Sequence, residues 1–284
     1  MSTKRVTATA HVTRRRRSAG LSIGQLHAEH LPDHLDPFLA FDHFEMAEPF
    51  FPPHPHAGFS AVTYMFPESA NGFLNRDTLG ARVEIHPGDL HWTAAGRGLM
   101  HEETPMRRGV RCHGLQIFVN LHSSKKWMAP QVLHTSAVDI PRVHRDGAEV
   151  RVVAGAHGDT VAAISPPTEV TLLDVVLAPG ATLEHRPGAG ESRFVYVIDG
   201  ALEAGAAEAA HSLVAGDAAG LSAEGDVVRV RAGATGAHLV LAGGRPLGEP
   251  AVFYGPFCMT SQQDLARAVQ AYQDGRMGQL EPSF

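Results

Sequence analysis

The sequence predicts an all-β protein of two β domains, with one short helix near the C-terminus. Strand-like runs rich in Val, Ile, Leu and aromatic residues recur about every ten residues. Turn-forming residues separate them, since the 284 residues include 29 glycines and 19 prolines. This alternation is typical of a sandwich or a barrel. The clearest runs are residues 61–66, 115–119, 172–177, 193–198, 227–230 and 238–241.

A change in composition divides the chain into two unlike parts. Residues 27–145 hold most of the 18 histidines and both tryptophans, whereas residues 146–255 are rich in Ala, Gly and Val. We therefore expect two domains, residues 1–140 and residues 141–284. Pro87-Gly88-Asp89 and Ala215-Gly216-Asp217 each follow a strand-like run, which indicates a faint internal repeat.

One segment near the C-terminus has helical periodicity. A helix is expected over about residues 260–275, with Thr260 and Gln263 as a capping box and Gly275 as its stop. A structural helix packed on a barrel is favoured over a recognition helix. The periodic positions are Leu265, Ala268, Val269 and Tyr272.

Charge and cysteine content narrow the class of protein. A net charge of −6 argues against general nucleic-acid binding, and the run Arg14–Arg17 is interpreted as a solvated strand or turn. Two cysteines cannot form a disulfide framework, which favours the cytoplasm. No apolar run approaches the roughly 20 residues of a membrane helix, and no apolar stretch of a signal peptide follows the arginines.

Two short histidine motifs indicate a metal site. His54 and His56 are two residues apart, and so are His101 and Glu103, so each pair leaves a strand on one face. Chance alone gives about one His-x-His among 18 histidines, so the pair needs its context. On neighbouring strands, three imidazoles and one carboxylate would suit Fe(II), Mn(II), Ni(II) or Cu(II).

The surrounding motifs resemble the cupin superfamily and, more narrowly, the pirin family. The likeness spans about residues 20–275 and is stronger in the first half. It is carried by Asp36-Pro37-Phe38-Leu39, His54-Pro55-His56-Ala57-Gly58-Phe59, Arg76-Asp77, Pro87-Gly88-Asp89, Ala95-Gly96-Arg97-Gly98, His101-x-Glu103, residues 113–121 and Gly255-Pro256-Phe257.

This resemblance implies a bicupin, in which two jelly-roll barrels are stacked and a single metal lies in the N-terminal one. The metal in pirins is usually iron, with Mn, Ni, Cu and Zn as alternatives here. The family's ligand positions fall on His54, His56, His101 and Glu103, the residues that strand parity also selects. The C-terminal barrel should hold no metal, because His185 is its only histidine near the first motif position.

Some positions depart from the wider pattern. General cupins place a glutamate soon after His-x-His, where this chain has Ser60 and Ala61, so Glu103 must supply the carboxylate. Many pirins have His-Arg-Asp before a hairpin turn. This chain has Asn75-Arg76-Asp77, which removes an imidazole and leaves an Arg–Asp pair as a structural or rim element.

Expectations also attach to residues around the motifs. Phe59, Phe66 and Trp92 are expected to wall an apolar cavity, with core packing as the alternative. His91 either faces that cavity or packs in the core, and His43 is expected at the surface or the barrel rim.

Three functions are expected as alternatives. The resemblance to pirins implies the first, a quercetin 2,3-dioxygenase that opens a flavonol, or a similar small aromatic substrate, with Glu103 as general base. The same resemblance implies the second, an iron-dependent or redox-dependent regulatory protein that acts through protein partners. The third is a metal-dependent cupin enzyme with another small substrate. The sequence has no Gly-x-Ser-x-Gly elbow, phosphate-binding loop or dinucleotide motif.

Overall fold

The computed structural model describes residues 2–284 and confirms the all-β class. Of these residues, only those of α1 (Gln262–Gln273) form an α-helix. The first part of the chain forms β1 (Val6–His11), β2 (Arg15–Ser18), β3 (Leu21–His27), β4 (Phe38–Met46), β5 (His54–His56), β6 (Phe59–Met65), β7 (Phe73–Asp77), β8 (Arg82–Ile85), β9 (Leu90–Ala94), β10 (Leu99–Pro105), β11 (Cys112–Asn120) and β12 (Gln131–Thr135).

The second part continues the strand series up to α1. Short 3-10 turns lie at Ser123–Lys125 and Ala207–Ala209. The strands are β13 (Arg142–Arg145), β14 (Ala148–Ala154), β15 (Ala156–His157), β16 (Thr160–Val161), β17 (Val170–Leu177), β18 (Thr182–His185), β19 (Ser192–Ala204), β20 (His211–Val214), β21 (Asp217–Leu221), β22 (Val228–Gly244), β23 (Val252–Tyr254) and β24 (Phe257–Met259).

The two barrels share one strand order. The main sheet of the first barrel runs β12-β9-β6-β11-β4-β3-β2, and that of the second runs β1-β21-β19-β22-β17-β14-β13. The first barrel is completed by the sheet β5-β10-β7-β8. In the second barrel, β18 pairs with β22 and β20 pairs with β19. The chain therefore contains two copies of one barrel topology.

The two Gly-Asp turns have the same geometry, so the faint sequence repeat is a structural one. Gly88 and Gly216 have positive φ angles of 87° and 91°, which glycine adopts without steric penalty. Asp89 and Asp217 each accept a hydrogen bond of 2.8 Å from the backbone N–H three residues earlier. These turns place equivalent strands of the two barrels in equivalent register.

A shared hydrophobic core stacks the main sheets of the two barrels. Phe41 of the first barrel packs edge-on against Phe194 of the second, with ring centroids 5.3 Å apart. The Tyr64 hydroxyl donates a 2.6 Å hydrogen bond to Asp174 across the same interface. One face of each main sheet is therefore buried against the other barrel.

Both ends of the chain cross to the opposite barrel. Strand β1 pairs with β21 in the second barrel, in the place that β12 takes in the first. A bridge between Ala57 and Phe257 attaches β24 to the first barrel, where α1 packs beside it. We retain residues 1–140 and 141–284 as proposed limits of the two domains, with these exchanged segments added.

The helix begins one residue later than the capping prediction. Its N-cap is Ser261, whose Oγ accepts a 3.0 Å hydrogen bond from the backbone N–H of Asp264, so Thr260 and Gln263 are not the capping pair. Gly275, with φ of 72°, follows the C-terminus as expected. Among the described residues, no helix is long and apolar enough to cross a membrane.

Two strands that the sequence predicts separately form one continuous strand in the structure. Residues 227–230 and 238–241 are not separate, since β22 is continuous from Val228 to Gly244. The pairing of β22 with β19 contains two irregularities of register, which bend both strands. As a result, β22 contributes to both walls of the barrel. Its first part pairs with β18 and its last part with β17.

Candidate metal centre

Three imidazoles converge where β5 meets β10. The antiparallel register places His101 opposite His54 and Leu99 opposite His56. One ring nitrogen from each of His54, His56 and His101 lies within 4.8 Å of the other two. The ring centroids are 4.7–4.9 Å apart. The sequence pairs therefore correspond to a real cluster of imidazoles.

Hydrogen bonds orient two of these rings. His54 Nδ1 donates to the Pro52 carbonyl at 2.9 Å, and His101 Nδ1 donates to Asn75 Oδ1 at 3.2 Å. Each bond leaves the Nε2 of that ring unprotonated, which is the form that binds a metal. His56 Nδ1 is buried and has no hydrogen-bond partner among the described residues.

Burial keeps the cluster neutral. Desolvation lowers the pKa of His56 to about 3 and holds the pKa of His101 well below its usual value. It also lowers the pKa of His54. Neutral imidazoles need no deprotonation before they bind a cation, so these residues fit a divalent transition metal.

Asn75 orients His101 through a hydrogen bond, a role that the sequence did not predict. The expected loss of an imidazole at this position is offset, because the Asn75 amide oxygen holds His101 instead. Arg76 and Asp77, expected as a structural or rim element, make structural contacts: Arg76 forms an ion pair with Glu102. Asp77 accepts hydrogen bonds from two backbone N–H groups of the β7–β8 turn. The two side chains therefore have separate tasks.

Glu103 is buried on the same face of β10 as His101. Its two oxygens lie 2.8 and 2.9 Å from the Thr63 hydroxyl, which donates to the carboxylate. Desolvation raises the pKa of Glu103 to about 7, and the Thr63 hydrogen bond opposes that rise. Its oxygens are not among the converging ligand atoms. Ligation by Glu103 therefore stays a prediction, while its pKa suits proton transfer near neutral pH.

An apolar cavity of about 180 Å³ opens beside the imidazoles. Phe51, which is 45% exposed, lies on its wall. Glu103 and Gln116 contribute polar groups to the wall. The apolar wall consists of Leu21, Ile23, Phe44, Met46, Phe51, Phe73 and Phe118.

Two expected wall residues lie elsewhere. Phe66 and Trp92 belong to the core between the barrels, so their assignment to the cavity was wrong. Trp92 pairs across the sheet with Val62, and both face the second barrel. Phe59 does not line the cavity but supports it, with its ring 5.1 Å from His56 and 4.8 Å from Phe118.

Comparison with known proteins identifies the family. Residues 14–119 match the family model described as Pirin, and residues 172–278 match the Pirin C-terminal cupin domain. The chain belongs to the pirin family. It is 36% identical over 252 residues to a pirin-like protein of Solanum lycopersicum, covering 86% of this chain and 82% of that protein. It is 35% identical over 246 residues to Pirin of Homo sapiens, covering 86% and 83%.

A solved structure supports the bicupin architecture. The crystal structure of quercetin 2,3-dioxygenase from Acinetobacter baumannii superposes with a TM-score of 0.85 at 26% identity. The alignment covers 97% of this chain and 98% of that one. The predicted family and the predicted bicupin fold are both confirmed.

The second pirin barrel lacks the cluster. Strand β18 pairs with β22 as β5 pairs with β10, so equivalent positions follow from the register. Followed from the matching Gly-Asp turns through the strand pairings, the positions of His54, His56, His101 and Glu103 are taken by His185, Pro187, Val228 and Val230. Of these four residues only His185 is an imidazole, and its Nδ1 lies 3.2 Å from the Nδ1 of His157.

Three other histidines of this chain lie outside the imidazole cluster. His43, expected at the surface or rim, is buried between the barrels, where its Nδ1 lies 3.0 Å from the Tyr196 hydroxyl. His43 Nε2 is 2.7 Å from His113 Nε2. His91 is buried opposite Thr63, and burial lowers its pKa to about 3. None of these three belongs to the imidazole cluster.

Proposed function

We propose that this protein binds one divalent transition metal, Fe(II), through His54, His56, His101 and Glu103. Mn, Ni, Cu and Zn are the alternatives for the same donor set. The observation that carries the proposal is the convergence of three neutral imidazoles beside a buried carboxyl group in an apolar cavity.

We infer further that the bound metal serves a quercetin 2,3-dioxygenase reaction, in which dioxygen opens a flavonol ring and carbon monoxide is released. The metal would supply Lewis acidity and a template for the substrate. Glu103 would accept the proton of the flavonol 3-hydroxyl, since its carboxyl group lines the cavity beside His101. Thr63 holds this carboxylate in place.

The apolar wall excludes water from the reacting atoms. At about 180 Å³, the cavity is smaller than the roughly 300–1,000 Å³ of common ligand sites. It therefore has room for only part of a flavonol. The Acinetobacter baumannii neighbour, which is named quercetin 2,3-dioxygenase, supports this substrate class through the similarity of fold.

A cytoplasmic location goes with this proposal. Both cysteines, Cys112 and Cys258, are free and buried, which is common where thiols stay reduced.

Elemental analysis combined with oxygen uptake tests the proposal. We expect one metal per chain and quercetin-dependent oxygen uptake that is faster than with the free metal at the same concentration. Uptake no faster than with free metal would remove the dioxygenase function. It would favour the regulatory function with a protein partner, or another substrate.

A further inference from the structure

A row of polar side chains crosses the inner wall of the first barrel. Gln25 of β3 pairs with Asp42 of β4, Asp42 with Gln116 of β11, and Gln116 with Thr63 of β6. Paired residues on neighbouring strands point to the same face of a sheet. Asp42 and Gln116 line the cavity that holds the imidazoles, and Thr63 binds Glu103.

The second barrel is apolar at the same register. The two Gly-Asp turns show which residues of the two barrels correspond. Thr63 pairs with His91, two residues after Asp89, and Val195 pairs with Ala219, two residues after Asp217, so Val195 corresponds to Thr63. The row in the second barrel is fully buried and packs without a polar atom. Its members are Val152, Leu173, Leu241 and Val195.

This contrast separates folding from function. Polar groups at these positions are not needed for the barrel to close, because the second copy closes with apolar ones. Burying polar groups is also unfavourable unless they find partners. The polar row of the first barrel is therefore explained by something that binds in the cavity.

Asp42 has acceptor capacity left for a ligand. Gln25 Nε2 donates to Asp42 Oδ2 over a long 3.3 Å, and the Gln25 amide oxygen accepts a 2.8 Å bond from Arg17. Asp42 Oδ1 has no partner among the described residues. Burial is the main reason that the pKa of Asp42 is raised, so water does not fully satisfy the carboxylate.

Asp42 and the imidazoles lie on opposite walls. Asp42 belongs to the seven-stranded sheet, whereas the three histidines belong to the four-stranded sheet that faces it across the cavity. A flat substrate bound beside the three histidines on one wall would thus present its other side to Asp42. The wall between them is aromatic and aliphatic, which suits a ring system.

We propose that Asp42 determines specificity by accepting a hydrogen bond from a ring hydroxyl of the aromatic substrate, with Gln25 and Arg17 positioning its carboxylate. This inference rests on the proposed flavonol-binding function. It defines the substrate class more narrowly, as a flavonol that carries a further ring hydroxyl.

Anaerobic binding titrations test this proposal without turnover. The probes are quercetin and 3-hydroxyflavone, which share the reacting group but differ in the ring hydroxyls. Fluorescence titration of the Fe(II)-loaded wild type should give tighter binding of quercetin. Asp42→Leu, which places the side chain found at Leu173, should weaken quercetin binding about tenfold and leave 3-hydroxyflavone binding unchanged. Asp42→Asn should fall between the two proteins.

Glu45→Gln is the matched control. It removes a carboxylate from the same strand that pairs with Arg14 and Arg111 away from the cavity, so both affinities should be retained. Equal losses for both probes in Asp42→Leu, unchanged affinities, loss of its bound iron, or no binding to the wild type would each overturn the proposal. A wild type that binds quercetin selectively but does not oxidise it refutes the dioxygenase function and leaves the Asp42 site standing.

Discussion

The two barrels have one topology and opposite interiors. At four matched positions the first has His, His, His and Glu, and the second has His, Pro, Val and Val. Across the neighbouring row the first is polar, and the second is entirely aliphatic. The comparison shows which side chains the fold requires. Apolar residues are enough to close the barrel, so the fold does not require the polar ones of the first barrel.

The largest expected effect is the loss of metal when a histidine of the first barrel is replaced by the residue at the matched position of the second barrel. His101→Val introduces the side chain that Val228 provides at the matched position, so the fold should be retained. Loss of one of three imidazoles should remove most of the metal and all detectable turnover. Metal analysis, oxygen uptake and circular dichroism measure the three outcomes. Full metal content in a folded His101→Val protein would show that the matched positions are not the ligand set.

Glu103 tests whether the carboxyl group does more than line the cavity. Glu103→Gln should lower quercetin turnover about 100-fold or more while it keeps part of the metal, because an amide cannot accept the proton. Glu102→Gln is the control, since Glu102 pairs with Arg76 and does not line the cavity. Equal turnover in the Glu103 and Glu102 variants would exclude the general-base role.

The free energy of unfolding should depend on pH through His185, the imidazole at the matched position of the second barrel. Burial lowers the folded-state pKa of His185 to about 3, below the unfolded value of 6.5. The unfolded state therefore binds more protons between these values, and stability falls as the pH drops below 6.5. His185→Leu should reduce the loss of unfolding free energy between pH 6.5 and 4.5 by about 2 kcal/mol. Denaturant unfolding at both pH values measures it, and an identical loss in both proteins would contradict the assignment.

The smallest effect concerns the helix that the second part of the chain places on the first barrel. Ser261→Ala should lower the free energy of unfolding by about 1 kcal/mol, because it removes the N-cap hydrogen bond. Thr260→Ala, one residue earlier, should have little effect. Urea unfolding of both variants compares them, and a larger loss from Thr260→Ala would restore the cap predicted from the sequence.

Much of this architecture could be predicted from local patterns. Short strand-like runs and turn residues predict the all-β class, and two-residue spacing predicts which histidines share a face. Features that depend on long-range register could not be predicted. Trp92 lies in a strand that is buried on both faces, and Phe66 directly follows another, so the sequence does not show which face meets the other barrel.

The supports of the site were missed for the same reason. Asn75 and Asp42 reach the cavity from strands that are distant in sequence, and only pairing with β10 and β11 brings them there. A usable signal was present, because Asp42 and Gln116 are polar residues inside otherwise apolar strands. The sequence alone did not distinguish them from residues that face solvent.

The most direct test of the central claim is the metal content of two matched variants, His54→Leu and His185→Leu. These residues hold the same position in the two barrels, because His54 pairs with His101 and His185 pairs with Val228 at the matching position. We predict one metal per chain in the wild type and in His185→Leu, and loss of most of the metal in His54→Leu. Two metals in the wild type with one lost in each variant, or full metal content in His54→Leu, would contradict the account.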